Sequence, residues 1–302
     1  MLILSTGDLH ITNKKPKNRT DDYFSTVLNK FLQIYQIADS EDCKVVIQPG
    51  DWFDSFKENH LVVQQIINII KMYPKIRTLV CAGQHDLSFH NPDLKGTALG
   101  TLLAAEVVEL LTNKPVEIEN CHIFGASWNE EIPEIKDPSK CNILATHRMI
   151  IDEKLWEAQE DATKANHLLL KTKFDYINSG DNHQQFTVHL QKRWLTNLGS
   201  MLRSNISQLN HHPAVAVYDT DTREIDIINL EVRPFEEVMC VEKAEKEKER
   251  NLKLESFVHS LKGAEVREGH TTKLNFVDAI NTYIKENEVP ESISNIIYEC
   301  IQ

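Results

Sequence analysis

Five short apolar segments, spread over the first 183 residues, each run directly into a carboxylate, an imidazole or an amide. The first ends in Asp8-Leu9-His10, the second in Gly50-Asp51-Trp52-Phe53-Asp54 and the third in Gly83-Gln84-His85-Asp86. The fourth and fifth end in Thr146-His147 and Gly180-Asp181-Asn182-His183. The segments themselves, Leu2–Thr6, Lys44–Gln48, Arg77–Cys81, Cys141–Thr146 and Phe174–Ser179, have the length and the apolar content of buried strands, and His122–Ala126 adds another. A helical stretch follows each of the first three: Tyr23–Ile37 after the N-cap signal Thr20-Asp21-Asp22, His60–Tyr73 before Pro74, and Ala98–Leu111 before Pro115. This rhythm predicts an α/β fold.

In an open α/β sheet the carboxyl ends of the strands line the ligand crevice, so the five polar endings converge on one site. Its chemistry is imidazole, carboxylate and one amide without thiolate, which suits Mn²⁺, Fe or Zn rather than a thiolate-bound structural zinc. The six cysteines are dispersed with no Cys-x-x-Cys pair, as expected of reduced thiols in a cytoplasmic protein. Met1–Thr6 lacks the features of an export leader and reads as a first strand, and no run of about 18 apolar residues predicts a membrane span.

From Gln184 to Leu230 the pattern changes to strands and turns, with Thr187–Leu190, Ala214–Tyr218 and Glu224–Asn229 predicted as a β-rich layer closing the domain. After Pro234 the composition shifts. The charged run Glu242–Arg250 leads into Leu252, Leu254, Phe257, Val258 and Leu261 at helical spacing. The expected organisation is a domain over 1–234 and a small α-rich capping or partner-docking module over 235–302.

The series Asp8-x-His10, Gly50-Asp51-x-x-Asp54, Gly83-x-His85-Asp86, His147 and Gly180-x-x-His183 resembles the signature of the calcineurin-like metallophosphoesterases, over about residues 1–230. Within that superfamily the Asp-Leu-His start, Arg19-Thr20-Asp21-Asp22 and Asn197-Leu198-Gly199-Ser200 are similar to SbcD-type DNA nucleases, partners of an SMC-like ATPase; phage recombination nucleases share the plan. The resemblance implies a sandwich of mixed β-sheets flanked by helices. It also implies two divalent ions about 3.5–4 Å apart, Mn²⁺ or Mg²⁺, clamping the attacking and phosphate oxygens. By match to the motif Asp51 bridges the two, Asp8, His10 and His183 complete the first shell, and Gln84, His147 and Asp181 belong to the second. His85 takes the place of the catalytic acid, with Asp86 orienting its ring.

Two positions depart from the pattern, and both belong to the second ion. Gln84 stands where the family has Asn, and Asp181 where it has His; a carboxylate shifts preference toward Mn²⁺ or Mg²⁺. Asp54 reads either as a partner to a ligand or as the cap of a short turn. Lys14, Lys15, Lys17 and Arg19 form a basic loop after His10, and Lys192, Arg193 and Arg203 flank the late strands; either group could reach DNA phosphates or be solvated. Trp52, Phe53 and Phe56 are either core or a stacking platform.

With 33 basic against 45 acidic residues the net charge is −12, the wrong sign for holding nucleic acid by bulk electrostatics. The expected function is a metal-dependent DNA exonuclease or endonuclease in recombination or repair. Its partners are DNA, an SMC-like ATPase that supplies basic surface, and in one alternative a second copy of the chain, with no membrane and a cytoplasmic setting, the host's if the chain is phage-encoded. Two other readings stay open: a phosphatase or phosphodiesterase on nucleotides or small esters, and a non-catalytic scaffold with a degenerate metal site.

Overall fold

A computed structural model describes residues 1–153, 162–205 and 208–240. These belong to one of two units of the chain, Met1–Val241. The charged run and nearly all of the expected module over 235–302 lie outside the described residues.

Among the described residues fourteen strands follow in chain order: β1 (Leu2–Ser5), β2 (Val45–Gln48), β3 (Arg77–Val80), β4 (Glu109–Leu110), β5 (Val116–Ile118), β6 (Cys121–Ala126), β7 (Cys141–His147), β8 (Ile150–Ile151), β9 (Thr163–Lys164), β10 (Tyr176–Gly180), β11 (Phe186–Leu190), β12 (Arg193–Asn197), β13 (Ala214–Asp219) and β14 (Ile225–Asn229). The helices are α1 (Tyr23–Ser40), α2 (His60–Lys71), α3 (Ala98–Ala104), α4 (Ala165–Lys171) and the short α5 (Phe235–Val238). Two six-stranded mixed sheets result, in the orders β14-β13-β1-β2-β3-β4 and β11-β12-β10-β7-β6-β5, each with parallel strands at its centre and antiparallel pairing toward an edge.

Strand periodicity explains the layering. Successive side chains point to opposite faces, so Ile3, Val45, Ile47 and Leu79 meet Ile123, Ile143, Ala145 and Tyr176 between the sheets. Leu4, Val46 and Val80 turn the other way and pack under α1 and α2, while Phe124, Leu144 and Ile177 pack under α4. Tyr176 and Tyr218 stack across the inter-sheet layer, ring centroids 4.6 Å apart.

Two expectations are corrected. The predicted helix Ala98–Leu111 stops at Ala104: Glu106 takes φ = 55°, and the chain then pairs as β4 along the open edge of β3, where β-branched Val107 and Val108 suit extended structure. The late strands do not form a closing layer of their own. β11 and β12 extend the second sheet, and β13 and β14 extend the first by pairing with β1. After Pro234, Phe235, Val238 and Met239 cluster together, and the Val238 carbonyl accepts from the Thr20 N–H. None of the described helices is long and apolar enough to cross a membrane.

Candidate metal centre

The carboxyl ends of five central strands carry the cluster. Asp8 and His10 follow β1, Asp51 follows β2, a 3₁₀ turn Gln84–Asp86 follows β3, His147 closes β7, and Asp181 and His183 follow β10. Two glycines are required by close approach: a Cβ on Gly83 would collide with Asp51 Oδ1, and one on Gly180 with Asp8 Oδ1. His10, Asp51 and Asp181 have positive φ of 43°, 52° and 79°. Non-glycine residues held there cost about 1–3 kcal/mol each, a form of strain that clusters at functional sites.

The seven sequence-predicted ligands form one connected group. His147 Nε2 lies 3.4 Å from Asp51 Oδ2, and its Nδ1 lies 3.8 Å from Asp8 Oδ1. His10 Nε2 is 3.6 Å from Asp51 Oδ2, and His183 Nε2 is 3.6 Å from Asp8 Oδ2. The Asp181 N–H donates to Asp8 Oδ2 at 3.0 Å, and Gln84 Nε2 donates to Asp181 Oδ1 at 3.1 Å. The two departures from the family pattern therefore bond to each other.

The donor set fits a divalent cation. Asp51 Oδ2, His10 Nδ1, Gln84 Oε1 and both ring nitrogens of His147 are buried with no hydrogen-bond partner, whereas buried polar atoms are ordinarily paired. Asp8, His10 and His183 can each offer an atom within 4.8 Å of the others, as can His10, Asp51 and His85. Oxygen and imidazole donors of this kind hold Mn²⁺, Fe or Zn.

The protonation equilibria follow from burial and from these contacts. Burial pushes the Asp8 carboxyl well above its usual range, and the charge of Asp51 adds to the shift. Burial also acts to raise Asp51, but the neighbouring His147 and His10 rings and the His85 N–H outweigh it and hold Asp51 down to about 2. His147 is the counterpart: burial opposes its charge, yet Asp51 and Asp8 push it up to about 9. His10 is driven down to about 3, chiefly by burial, and His183 is lowered for the same reason.

His85 joins the group at its exposed side. Its backbone N–H donates to Asp51 Oδ1 at 2.9 Å, and its ring meets that of His10 edge-on, centroids 4.8 Å apart. The expectation that Asp86 orients this ring is corrected. The Asp86 carboxylate accepts from the backbone N–H groups of Trp52, Phe53 and Gly83 at 3.0 to 3.1 Å, tying the β2 and β3 loops together. The His85 ring instead places Nδ1 2.7 Å from the Asp54 carbonyl oxygen. Trp52 and Phe53 are core residues, and Phe56 is partly exposed beside Phe89.

A groove of about 400 Å³ opens beside His10, His85 and His183, and Lys14, Lys15 and Lys17 line it. Arg19 and Arg203, expected to bind substrate, do not line it. Arg19 is 6% exposed and donates through Nε and Nη2 to the two oxygens of Asp21, at 2.8 and 2.6 Å. Arg203 is 8% exposed, donates to the Arg233 carbonyl and lies over the Phe235 ring. Both guanidiniums fasten segments of the fold. Tyr23, the first residue of α1 and not among the expected site residues, lines the groove as well.

A family model for calcineurin-like phosphoesterases matches residues 1–185. The chain belongs to the calcineurin-like phosphoesterases. Solved structures similar to this calcineurin-like phosphoesterase include TT1561 of Thermus thermophilus, at 11% identity and a TM-score of 0.47, covering 76% of this chain and 98% of that one. An archaeal phosphodiesterase is similar at 16% identity and a TM-score of 0.41, covering 76% and 100%. No curated protein matches the sequence. Membership of this family makes the chain a metal-dependent phosphoesterase by fold and motif.

Proposed function

We propose that this phosphoesterase cuts the DNA backbone, as a nuclease of the SbcD type working beside an SMC-like ATPase in recombination or repair. The observation that carries the reading is the groove in which three lysines lead to His10, His85 and His183. A lysine-lined track ending at a phosphoesterase centre suits a chain of phosphates better than a single small ester. Asp8, His10, Asp51 and His183 would hold one ion, and Asp51, Gln84, His147 and Asp181 a second, with Asp51 common to both. Two divalent ions, Mn²⁺ or Mg²⁺, supply when bound the positive charge that polarises the phosphate and acidifies the attacking water.

The remaining work falls to this chain's own residues. Lys14 and Lys15 hold flanking phosphates and set the register of the backbone. His85, its Nδ1 fixed on the Asp54 carbonyl, keeps Nε2 for the leaving oxygen, which it protonates or stabilises. Asp86 holds the two loops at the spacing these roles need. A net charge of −12 favours a partner that brings basic surface to the DNA.

The test is direct. The chain, stripped with chelator and reloaded with Mn²⁺, is given linear duplex DNA and bis-p-nitrophenyl phosphate in parallel, with and without an SMC-like ATPase. Cleavage of duplex, enhanced by the ATPase, is expected. Turnover of the bis ester alone would move the substrate to small phosphodiesters, and turnover of neither would overturn the catalytic reading.

A further inference from the structure

A separate cavity of about 240 Å³ lies against α1, with none of the proposed metal ligands in its wall. The residue that marks it is Lys30. It lies three residues after Val27 and four before Ile34, on the buried stripe of α1 where an apolar side chain is expected. Lys30 is 5% exposed, and its ammonium nitrogen is buried without a hydrogen-bond partner. Burial holds its pKa down to about 8, against the pull of Glu231 and helped by the charges of Arg203 and Arg19.

The charges around it do not balance. Arg19 is matched by Asp21, and Arg233 lies 3.3 Å from Glu237. What remains in the wall is Lys30 and Arg203 against Glu231. Arg203 spends one N–H on the Arg233 carbonyl and keeps others. Met201 and Leu202 add an apolar side. An unpaired buried ammonium is among the costlier arrangements in a protein interior unless something satisfies it. The cavity is smaller than the roughly 300–1,000 Å³ typical of sites for drug-sized ligands, so a compact group suits it.

We propose that this cavity binds a small oxyanion, a phosphate or carboxylate group, through Lys30 and Arg203. The ammonium supplies up to three donors and the guanidinium a planar fork, the pair of shapes that recognise such groups. The cavity also adjoins the metal centre's surroundings: Leu202 lines both the cavity and the groove, and the Met201 N–H donates to the Asp8 carbonyl at 2.8 Å.

The test uses the full chain with chelator present, so that added anion has no metal to bind. Inorganic phosphate and succinate are titrated by calorimetry and by thermal denaturation, with chloride held at equal ionic strength. Saturable binding of one anion per chain is expected, with a rise in Tm that follows its concentration. Lys30→Met keeps the stem's volume and removes the charge, and should weaken binding by about tenfold or more. Arg203→Gln supplies an independent second variant with the same expected direction. Asp51→Asn should bind like wild type, which separates this cavity from the phosphoesterase centre. Tighter phosphate would assign a phosphorylated ligand, and tighter succinate a carboxylate. No saturable binding of either anion, or equal binding by wild type, Lys30→Met and Arg203→Gln, would overturn the proposal.

Discussion

His10 and His183, 173 residues apart in the chain, face each other through their Nε2 atoms at 3.0 Å. Two imidazole nitrogens this close must share a hydrogen or a positive ion, and both rings keep low proton affinity through burial. His147 differs, since Asp51 and Asp8 hold its pKa up to about 9. At pH 7 it carries a proton that a cation coordinated there would displace. Mn²⁺ binding should therefore release at least this proton at pH 7, together with any that burial leaves on Asp8, and tighten as pH rises toward the His147 value. Calorimetry in two buffers of different ionisation enthalpy measures this; absence of proton release would place His147 outside the coordination shell.

Asp51→Asn and His85→Ala should separate ion holding from proton transfer. The first removes the Asp51 carboxylate charge while keeping an oxygen for the His85 N–H, so activity should fall by about 10²-fold or more with Tm little changed. The second should leave metal content intact and slow cleavage by roughly 10² to 10⁴. Metal analysis beside turnover of bis-p-nitrophenyl phosphate distinguishes them. Lost metal in His85→Ala would make His85 a ligand, as its grouping with His10 and Asp51 allows.

Replacing Lys14 and Lys15 should give the opposite result to replacing Arg19. Lys14→Ala with Lys15→Ala should weaken DNA binding and flatten its salt dependence by up to about two units of slope, with stability unchanged. Arg19→Ala leaves Asp21 buried without its guanidinium and should cost about 3–5 kcal/mol of stability. Chemical denaturation and filter binding at several salt concentrations check both.

This contrast also shows what the sequence could reveal. Four of the five strand ends were readable because glycine followed by a carboxylate or an amide marks both the end of a strand and the residue it delivers. The β-sheet edges were not, because β4 gains its identity from the open side of β3 rather than from its own two residues. Arg19 and Arg203 showed their charge but not their partners, and the Asp21 that captures Arg19 read only as a helix-start signal. Lys30 gave no signal in the sequence reading; its meaning comes from burial on α1 and from Arg203, distant in sequence, standing in the same wall.

Gln84 and Asp181 should behave as a coupled pair. Asp181→His alone strips Gln84 of its acceptor, and Gln84→Asn alone shortens the donor arm away from Asp181. Each single change should weaken Mn²⁺, while the double change restores the family's residues and should recover affinity, giving a coupling of about 0.5–3 kcal/mol in the cycle. Calorimetric Mn²⁺ affinities of the four proteins measure it, and simple additivity would show that the two side chains act apart.

The left-handed backbone at His10, Asp51 and Asp181 sets stability and chemistry in competition at three named positions. Glycine would adopt those dihedrals without strain and would abolish the donor that each residue contributes. A population selected only for resistance to heat would therefore drift toward glycine at positions 10, 51 and 181, losing its catalyst while keeping its fold. In this chain a histidine and two aspartates occupy these points, so the backbone strain sits where a donor atom is delivered.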